Sequence, residues 1–486
     1  MEETFAEKEA GFVIQAKGYL ITLEGLPSAR INDVIVSAHG QRALVTALNE
    51  SGVEALLLDP GSPGSGERFA AHPEGIQFYL GEALFGRAMN VLGAPIDGLG
   101  DFPPATVPLQ LESDAPDMSA RALMVEQLTL GMTVVDILLP IAKGQRQLVI
   151  GPISSGKDVF LESVAAAQKD TEIVCVYALI GRPTAYIENV IAHLHRQGGN
   201  TGTIVIAARS DDPAPLVSIA PAVALQVAES FSKQGKDVLL ILDNLASHAK
   251  YFREIALLSG RVPGRESYPG DTFYAQAHLL ERAGFFNKAY GGGSLTLLPV
   301  LETNIEEMTS LISTNLMSAT DGHLFFSPVA HAEGYFPAID PRQSVTRVGR
   351  QAQTTLAKQL SIRVQALLAD YEREKRYGQF GAQLSAEAQN LLRQGDVANI
   401  FLRQEPMLFV SPEEQIILLS LVFTSFFADK DLEFIKRNRP ALSAAIAKDP
   451  RLQPLVESAR RGAISFDQFL KKLRAGLAPF EAVCRP

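Results

Sequence analysis

The sequence predicts a multidomain α/β chain: an N-terminal β-barrel over 1–80, a central P-loop parallel sheet with helices on both faces over 81–351, and a C-terminal α-helical bundle over 352–486. Three observations predict it. Short β-type runs crowd the first stretch, strands alternate with helical segments around a glycine loop in the middle, and strand signals fade beyond about residue 352.

The barrel rests on runs such as Gly11-Phe12-Val13-Ile14-Gln15 and Tyr19-Leu20-Ile21-Thr22-Leu23, set between closely spaced glycine and proline turns. In the middle stretch, Leu148-Val149-Ile150 is followed by Ile173–Leu179, Thr203–Ala207 and Val238–Asp243, each apolar run separated from the next by a helical stretch. Such continuous apolar strands suit a sheet covered on both faces. The final stretch carries long glycine-poor helical patterns, for example Thr355–Tyr371 and Ala386–Arg393. No solenoid-length repeat and no low-complexity segment is present.

Chemistry enters at Gly151-Pro152-Ile153-Ser154-Ser155-Gly156-Lys157-Asp158. Glycines at both ends let backbone N–H groups curl around phosphates, and the lysine reaches their outer oxygens. The preceding β-branched run and the following Val159-Phe160-Leu161 and Val164-Ala165-Ala166 place the loop between a strand and a helix N-terminus. That order makes the loop a candidate site for ATP or ADP rather than a simple glycine turn. Where a Ser or Thr hydroxyl ordinarily ligates Mg²⁺, this chain has Asp158. Asp243 ends the strand Leu239–Asp243, where an aspartate holds Mg²⁺ through water in P-loop nucleotidases or caps the next helix. Asp158 and Asp243 are thus the candidate metal ligands.

Bulk properties narrow the rest. With 44 basic against 54 acidic residues the net charge is −10, which disfavours general attraction to nucleic acid or anionic lipid and favours a basic partner surface. Cys175 and Cys484 give neither a disulfide framework nor a spaced metal site and read as free thiols in a reducing compartment. The acidic start Met1-Glu2-Glu3 lacks the features of a targeting segment, so the expectation is an intracellular chain. Apolar runs such as Ile416–Phe427 are too short to span a bilayer and read as buried helix.

An ordered series of segments then resembles the alpha subunits of the rotary F-type ATP synthases. They are Gly81–Arg87 with Pro95–Gly98, Pro140–Arg146, Pro263–Tyr274, Ser294–Thr303, and Pro337–Asp340 followed by Ser344–Gly349; the resemblance runs from about Gly11 past Gln415. It implies a RecA-like P-loop core and a non-catalytic nucleotide site in a ring where three alpha subunits alternate with three beta subunits around a gamma-type shaft. A peripheral position at the cytoplasmic face of the cell membrane follows, with the membrane reached only through the proton-translocating (or sodium-translocating) sector. Barrel signals that begin close after Met1 leave little of the family's stalk-contacting extension, so a delta-type stator subunit is expected to bind differently.

The resemblance also assigns residues. Arg347 matches the arginine finger that reaches the neighbouring beta site, the alternative being a structural ion pair at a sheet end. Ser344 matches the other functionally required position of that loop. Gln404 matches a glutamine near the adenine ring, the alternative being a solvent-exposed polar loop, while a second such glutamine is replaced by Pro406 and an arginine by Phe336. After Ile180-Gly181, catalytic beta-type subunits carry a glutamate that polarises water and alpha subunits a glutamine; here stands Arg182, which accepts no proton. Asp158 and Arg182 are expected to pair and weaken the local nucleotide site. A homohexameric export ATPase of the secretion type would need that missing glutamate, and a non-hydrolytic structural or regulatory paralogue is the remaining alternative.

Overall fold

Period-two alternation decides the N-terminal architecture. Six antiparallel strands close in the order Ala10–Lys17, Leu20–Gly25, Gly52–Leu57, Arg42–Asn49, Val34–Ser37 and Arg68–Ala71. Ile21 with Leu23, and Val53 with Ala55 and Leu57, alternate inward onto Phe69, and closure leaves no open sheet edge. Bulges between Val13 and Gln15 and between Val45 and Ala47 add the local twist that short strands need to curl into a barrel.

The computed structural model describes residues 9–50, 52–72, 75–104, 107–111, 113–196, 202–304, 307–379 and 385–484. They form two units, the first built from residues within 1–122, 148–150 and 168–320, the second from residues within 123–147, 151–167 and 321–486.

Within the first unit, parallel strands lie in the order Ser294–Glu302, Asp237–Asp243, Val174–Arg182, Thr203–Arg209 and Ala88–Asn90. Leu148–Ile150 of the strand Gln147–Gly151 flank Ser294–Glu302. The sheet is not wholly parallel, because Gly284–Phe285 pairs antiparallel with Ser294–Glu302. Among the described residues between Asn90 and Gln127 the expected strand–helix alternation gives way to short bridges and turns, and Pro95, Pro103, Pro104, Pro108 and Pro116 explain why regular ladders stop there. The barrel is tied to the helix Leu245–Leu258: Tyr19 Oη donates to Glu254 Oε1 at 3.1 Å and Lys17 Nζ donates to the Leu258 carbonyl at 3.1 Å.

The helix Ala214–Ser232 has the length and mean hydropathy (1.4) of a membrane span, yet 78% of that stretch is buried, and it packs on the strands Val174–Arg182 and Asp237–Asp243. It is a core helix. Most of the run Ile416–Phe427 is buried, with Ser425 exposed, and its helix, Pro412–Leu421, stops before Phe426 and Phe427.

In the second unit the C-terminal helices include Thr355–Gln379, Ala386–Leu402, Leu432–Lys448 and Phe466–Ala475. Ser385, Asp431 and Ser465 each accept a backbone N–H three residues on, satisfying groups that a helix start otherwise leaves unpaired. Gly395 lets Ala386–Leu402 approach Thr355–Gln379, since a Cβ there would lie 2.1 Å from Tyr371 Cδ2. Asp136 is a buried carboxyl in this unit. Its Oδ1 accepts from the Leu130 N–H at 2.9 Å and its Oδ2 from Gln415 Nε2 at 2.9 Å. Burial pushes its pKa up to about 6 in spite of those donors.

Two outcomes follow from this packing. Gly395→Ala is expected to lower stability by about 1–3 kcal/mol through overpacking, after a gain of up to ~1 kcal/mol in helix propensity; the urea midpoint should fall with little change in slope. For Asp136, a raised folded-state pKa means that its stabilising contribution is complete below the unfolded value of 3.8 and is lost as pH rises through about 6. Relative to Asp136→Asn, which cannot ionise, the parent should therefore lose ~2 kcal/mol between pH 4 and pH 7, read from urea unfolding of both proteins at each pH. Parallel pH profiles would contradict this.

Candidate functional site

The fully buried strand Gln147–Gly151 delivers the chain into the loop 152–156, and the helix Lys157–Ala167 leads away from it. Positive φ at Ser154 (60°) and Gly156 (79°) turns successive amides along the inside of the bend. Gly151, Pro152, Ile153, Ser154, Ser155, Gly156, Lys157 and Asp158 thus form one loop and helix start. Ile153 points out at 71% exposure, whereas Ser155 and Lys157 are buried. Ser155 Oγ donates to the Pro152 carbonyl at 2.7 Å, and Lys157 Nζ donates to the same carbonyl and lies 3.2 Å from Ser155 Oγ. The ammonium is held by the oxygens of its own loop. Asp158 occupies the first turn of the helix, the end whose positive dipole favours a negative group.

Two neighbours close on this loop within the second unit. Phe326 backs Gly151, and its ring lies 5.1 Å from that of Phe160. His331 Nδ1 would stand 2.8 Å from a Cβ at Gly156, so the imidazole packs directly on the loop and only glycine fits beneath it. Gln404 is buried, which removes the exposed-loop alternative. Its Oε1 accepts from the Thr133 N–H at 2.6 Å, and its Nε2 donates to the carbonyls of Gly131 (2.9 Å) and Leu408 (2.7 Å). With those bonds its amide staples backbone segments together.

In the first unit, Asp243 ends its strand with 0% side-chain exposure and meets Arg182, which is 12% exposed. Arg182 Nε lies 3.2 Å from Asp243 Oδ2, and Nη2 contacts Oδ1 in the second arm of a fork. Tyr177 and Tyr186 hydroxyls stand 3.4 and 3.5 Å from Oδ2, and the Tyr186 ring lies 4.8 Å from the guanidinium. Arg182 Nη1 also pairs with Glu302 Oε1 at 2.9 Å, while Asn244 Nδ2 donates to Glu302 Oε2 at 3.0 Å. Burial works against the Arg182 charge, but Asp243 and Glu302 outweigh it and hold its pKa above the ordinary arginine range. Tyr177 is likewise held protonated, mainly by burial and then by the Asp243 charge.

Within its own unit Arg182 is thus partnered by Asp243 and Glu302, and one expectation is corrected. The cap of the helix Leu245–Leu258 is Asn244, whose Oδ1 accepts from the Ser247 N–H at 2.7 Å, so Asp243 is not the cap. Nor does this donor set fit Mg²⁺: the Asp243 carboxylate is already met by a cation on both oxygens. Among the described residues no group of three or more His, Cys, Asp or Glu is gathered to hold a metal. Glu302 and the two tyrosines went unassigned in the sequence. Register exposes Glu302, because Leu242 pairs with Pro299 and both strands end at the same edge of the sheet.

Ser344 and Arg347 lie on a braced loop of the second unit. Ser344 Oγ donates to the Asp340 carbonyl at 2.6 Å and accepts from the Phe325 N–H at 2.9 Å. Thr346 Oγ1 donates to the Pro140 carbonyl at 2.8 Å, Gln147 Nε2 donates to the Val345 carbonyl at 3.0 Å, and the Arg347 N–H donates to the Asp321 carbonyl at 3.0 Å. The buried Ser344 therefore braces the loop backbone, and the Arg347 side chain is exposed beyond it. Beside this loop, Ser344, Val345 and Thr346 line a cavity of about 690 Å³ together with Arg342, Tyr371 and Arg403.

Comparison with known proteins accounts for the arrangement. The nucleotide-binding domain of the ATP synthase alpha/beta family matches residues 131–346, and the C-terminal domain of the ATP synthase alpha/beta chain matches residues 353–474. Similar proteins include ATP synthase subunit alpha 1 of Shewanella frigidimarina (strain NCIMB 400), 33% identical over 97% of this chain and 92% of that protein. The protein of the same name from Marinomonas sp. (strain MWYL1) is 32% identical over 92% of this chain and 86% of its own length. That of Pseudoalteromonas atlantica (strain T6c / ATCC BAA-1087) is 32% identical over 97% and 90%. With a P-loop core, matches to both domains and near full-length likeness to alpha subunits, the chain belongs to the ATP synthase alpha/beta family as an F-type alpha subunit.

Proposed function

We propose that this subunit cleaves no nucleotide itself and instead lends Arg347 to the active site of a neighbouring beta subunit, in a ring where alpha and beta alternate around a gamma-type shaft. The observation that carries the reading is the side chain at 182. Attack of water on a phosphoryl group needs an oriented acceptor for its proton. Arg182 offers five donors and no acceptor, and its charge is fixed by Asp243 and Glu302.

Arg347 has the opposite setting. Its backbone is pinned by the hydrogen bonds of Ser344, Thr346 and Asp321, while its side chain is exposed. A guanidinium carried on a rigid loop reaches a neighbouring site with little ordering cost, where it neutralises charge developing on the transferred phosphoryl group. The cavity beside the loop leaves room for side chains of that neighbour. ATP or ADP held by this chain's own P-loop has a structural role in the ring. The complex sits at the cytoplasmic face of the cell membrane, which it touches only through the ion-translocating sector. Attachment of a delta-type stator subunit completes the partner set.

In the assembled complex, Arg347→Ala is expected to lower kcat for ATP hydrolysis by about 10³–10⁵ with the ring intact by size, and Arg347→Lys to restore only a fraction, because an ammonium lacks the planar fork. A loss of less than about tenfold would contradict a finger role.

A further inference from the structure

The cavity of about 690 Å³ lies wholly within the second unit and has the size of a pocket for a small organic molecule. Its charges are unevenly matched. Four basic side chains line it, Arg342, Arg350, Lys375 and Arg403, against three acidic ones, Glu333, Asp340 and Glu372. Two of those carboxylates are already taken, since Arg342 Nε lies 3.3 Å from Asp340 Oδ1 and Arg342 Nη1 lies 3.4 Å from Glu372 Oε2. The other three cations have no ion pair among the described residues. Arg350 Nη2 donates to the Gln365 amide oxygen at 3.0 Å, Lys375 Nζ stands 5.4 Å from the centre of the Tyr371 ring, and the Arg403 guanidinium lies 3.1 Å over that of Tyr335.

Arg403 is the most informative of the three. Its backbone is fixed on both sides, because its N–H donates to the Asn399 carbonyl at 3.2 Å and its own carbonyl accepts from Arg439 Nη1. The guanidinium is thereby held in the cavity wall. Its Nε is buried without a hydrogen-bond partner among the described residues, and burial pushes its pKa below the ordinary arginine range, with the Glu333 charge acting the other way. A partly desolvated cation without a counter-charge is costly, and an anion in the cavity would supply what is missing.

The wall also includes the apolar side chains of Val134, Leu139, Ile339 and Leu402. A bare inorganic anion would leave that surface uncovered. An occupant with a hydrocarbon body buries it, a planar ring suits the stacked faces of Tyr335 and Arg403, and a carboxylate matches the fork of a guanidinium. Going beyond the role given to Arg347, we propose that this cavity is a binding site for a small aromatic carboxylate, with Arg403 as the residue that meets its charge. Ser344, Val345 and Thr346 belong to the same wall, so an occupant touches the loop that carries Arg347 and shares the room open to side chains of a neighbouring subunit.

Titration calorimetry of the purified full-length chain with naphthoate, and with its uncharged isostere naphthamide, tests this. In the isolated chain no neighbouring side chain competes for the space. Naphthoate is expected to bind one-to-one with a Kd below about 1 mM, and naphthamide at least about tenfold more weakly. Arg403→Gln should weaken naphthoate by about tenfold or more while changing naphthamide by less than about twofold. Absence of saturable naphthoate binding, or equal affinity for the two probes, would overturn the proposal without recourse to any variant. An Arg403→Gln chain that is folded by circular dichroism and still binds naphthoate as the parent does would remove the site from Arg403. None of these readouts involves turnover, so the role of Arg347 is judged separately.

Discussion

The interaction on which this subunit's character depends is the buried fork between Arg182 and Asp243, extended to Glu302. Three charges leave water together, and each would cost several kcal/mol alone. They are tolerable as a group because the guanidinium satisfies both carboxylates while Tyr177, Tyr186 and Asn244 fill remaining lone pairs. Removing one member of such a set leaves an uncompensated buried charge, ordinarily worth 3–5 kcal/mol.

A division of labour follows from two arginines in different settings. Arg182 is buried, forked and neutralised, a structural cation inside a site of the first unit. Arg347 is carried outward by a loop of the second unit whose hydroxyls and amides are spent on backbone carbonyls. The same guanidinium chemistry serves a buried ion cluster and an exposed loop, and burial separates the two settings.

Much of the architecture was legible because it rests on local pattern. Alternation at Ile21 and Leu23 gave the barrel, and the unbroken apolar runs before Gly151 and Asp243 gave parallel strands. The loop 151–158 was legible because its glycines must adopt a particular curl. What escaped depends on tertiary neighbours. The identity of Arg182's partners, the burial of Gln404 and the His331 ring on Gly156 are set by which strands and helices lie side by side. The irregular described residues between Asn90 and Gln127 follow from their prolines, which interrupt strand and helix alike.

The central claim is that the guanidinium lock leaves this chain unable to act as its own catalyst. ATP hydrolysis by the purified chain, freed of every other subunit, tests it most directly. The account predicts no turnover above the uncatalysed background; turnover that is abolished by Lys157→Ala, and so belongs to this chain's own loop, would contradict it.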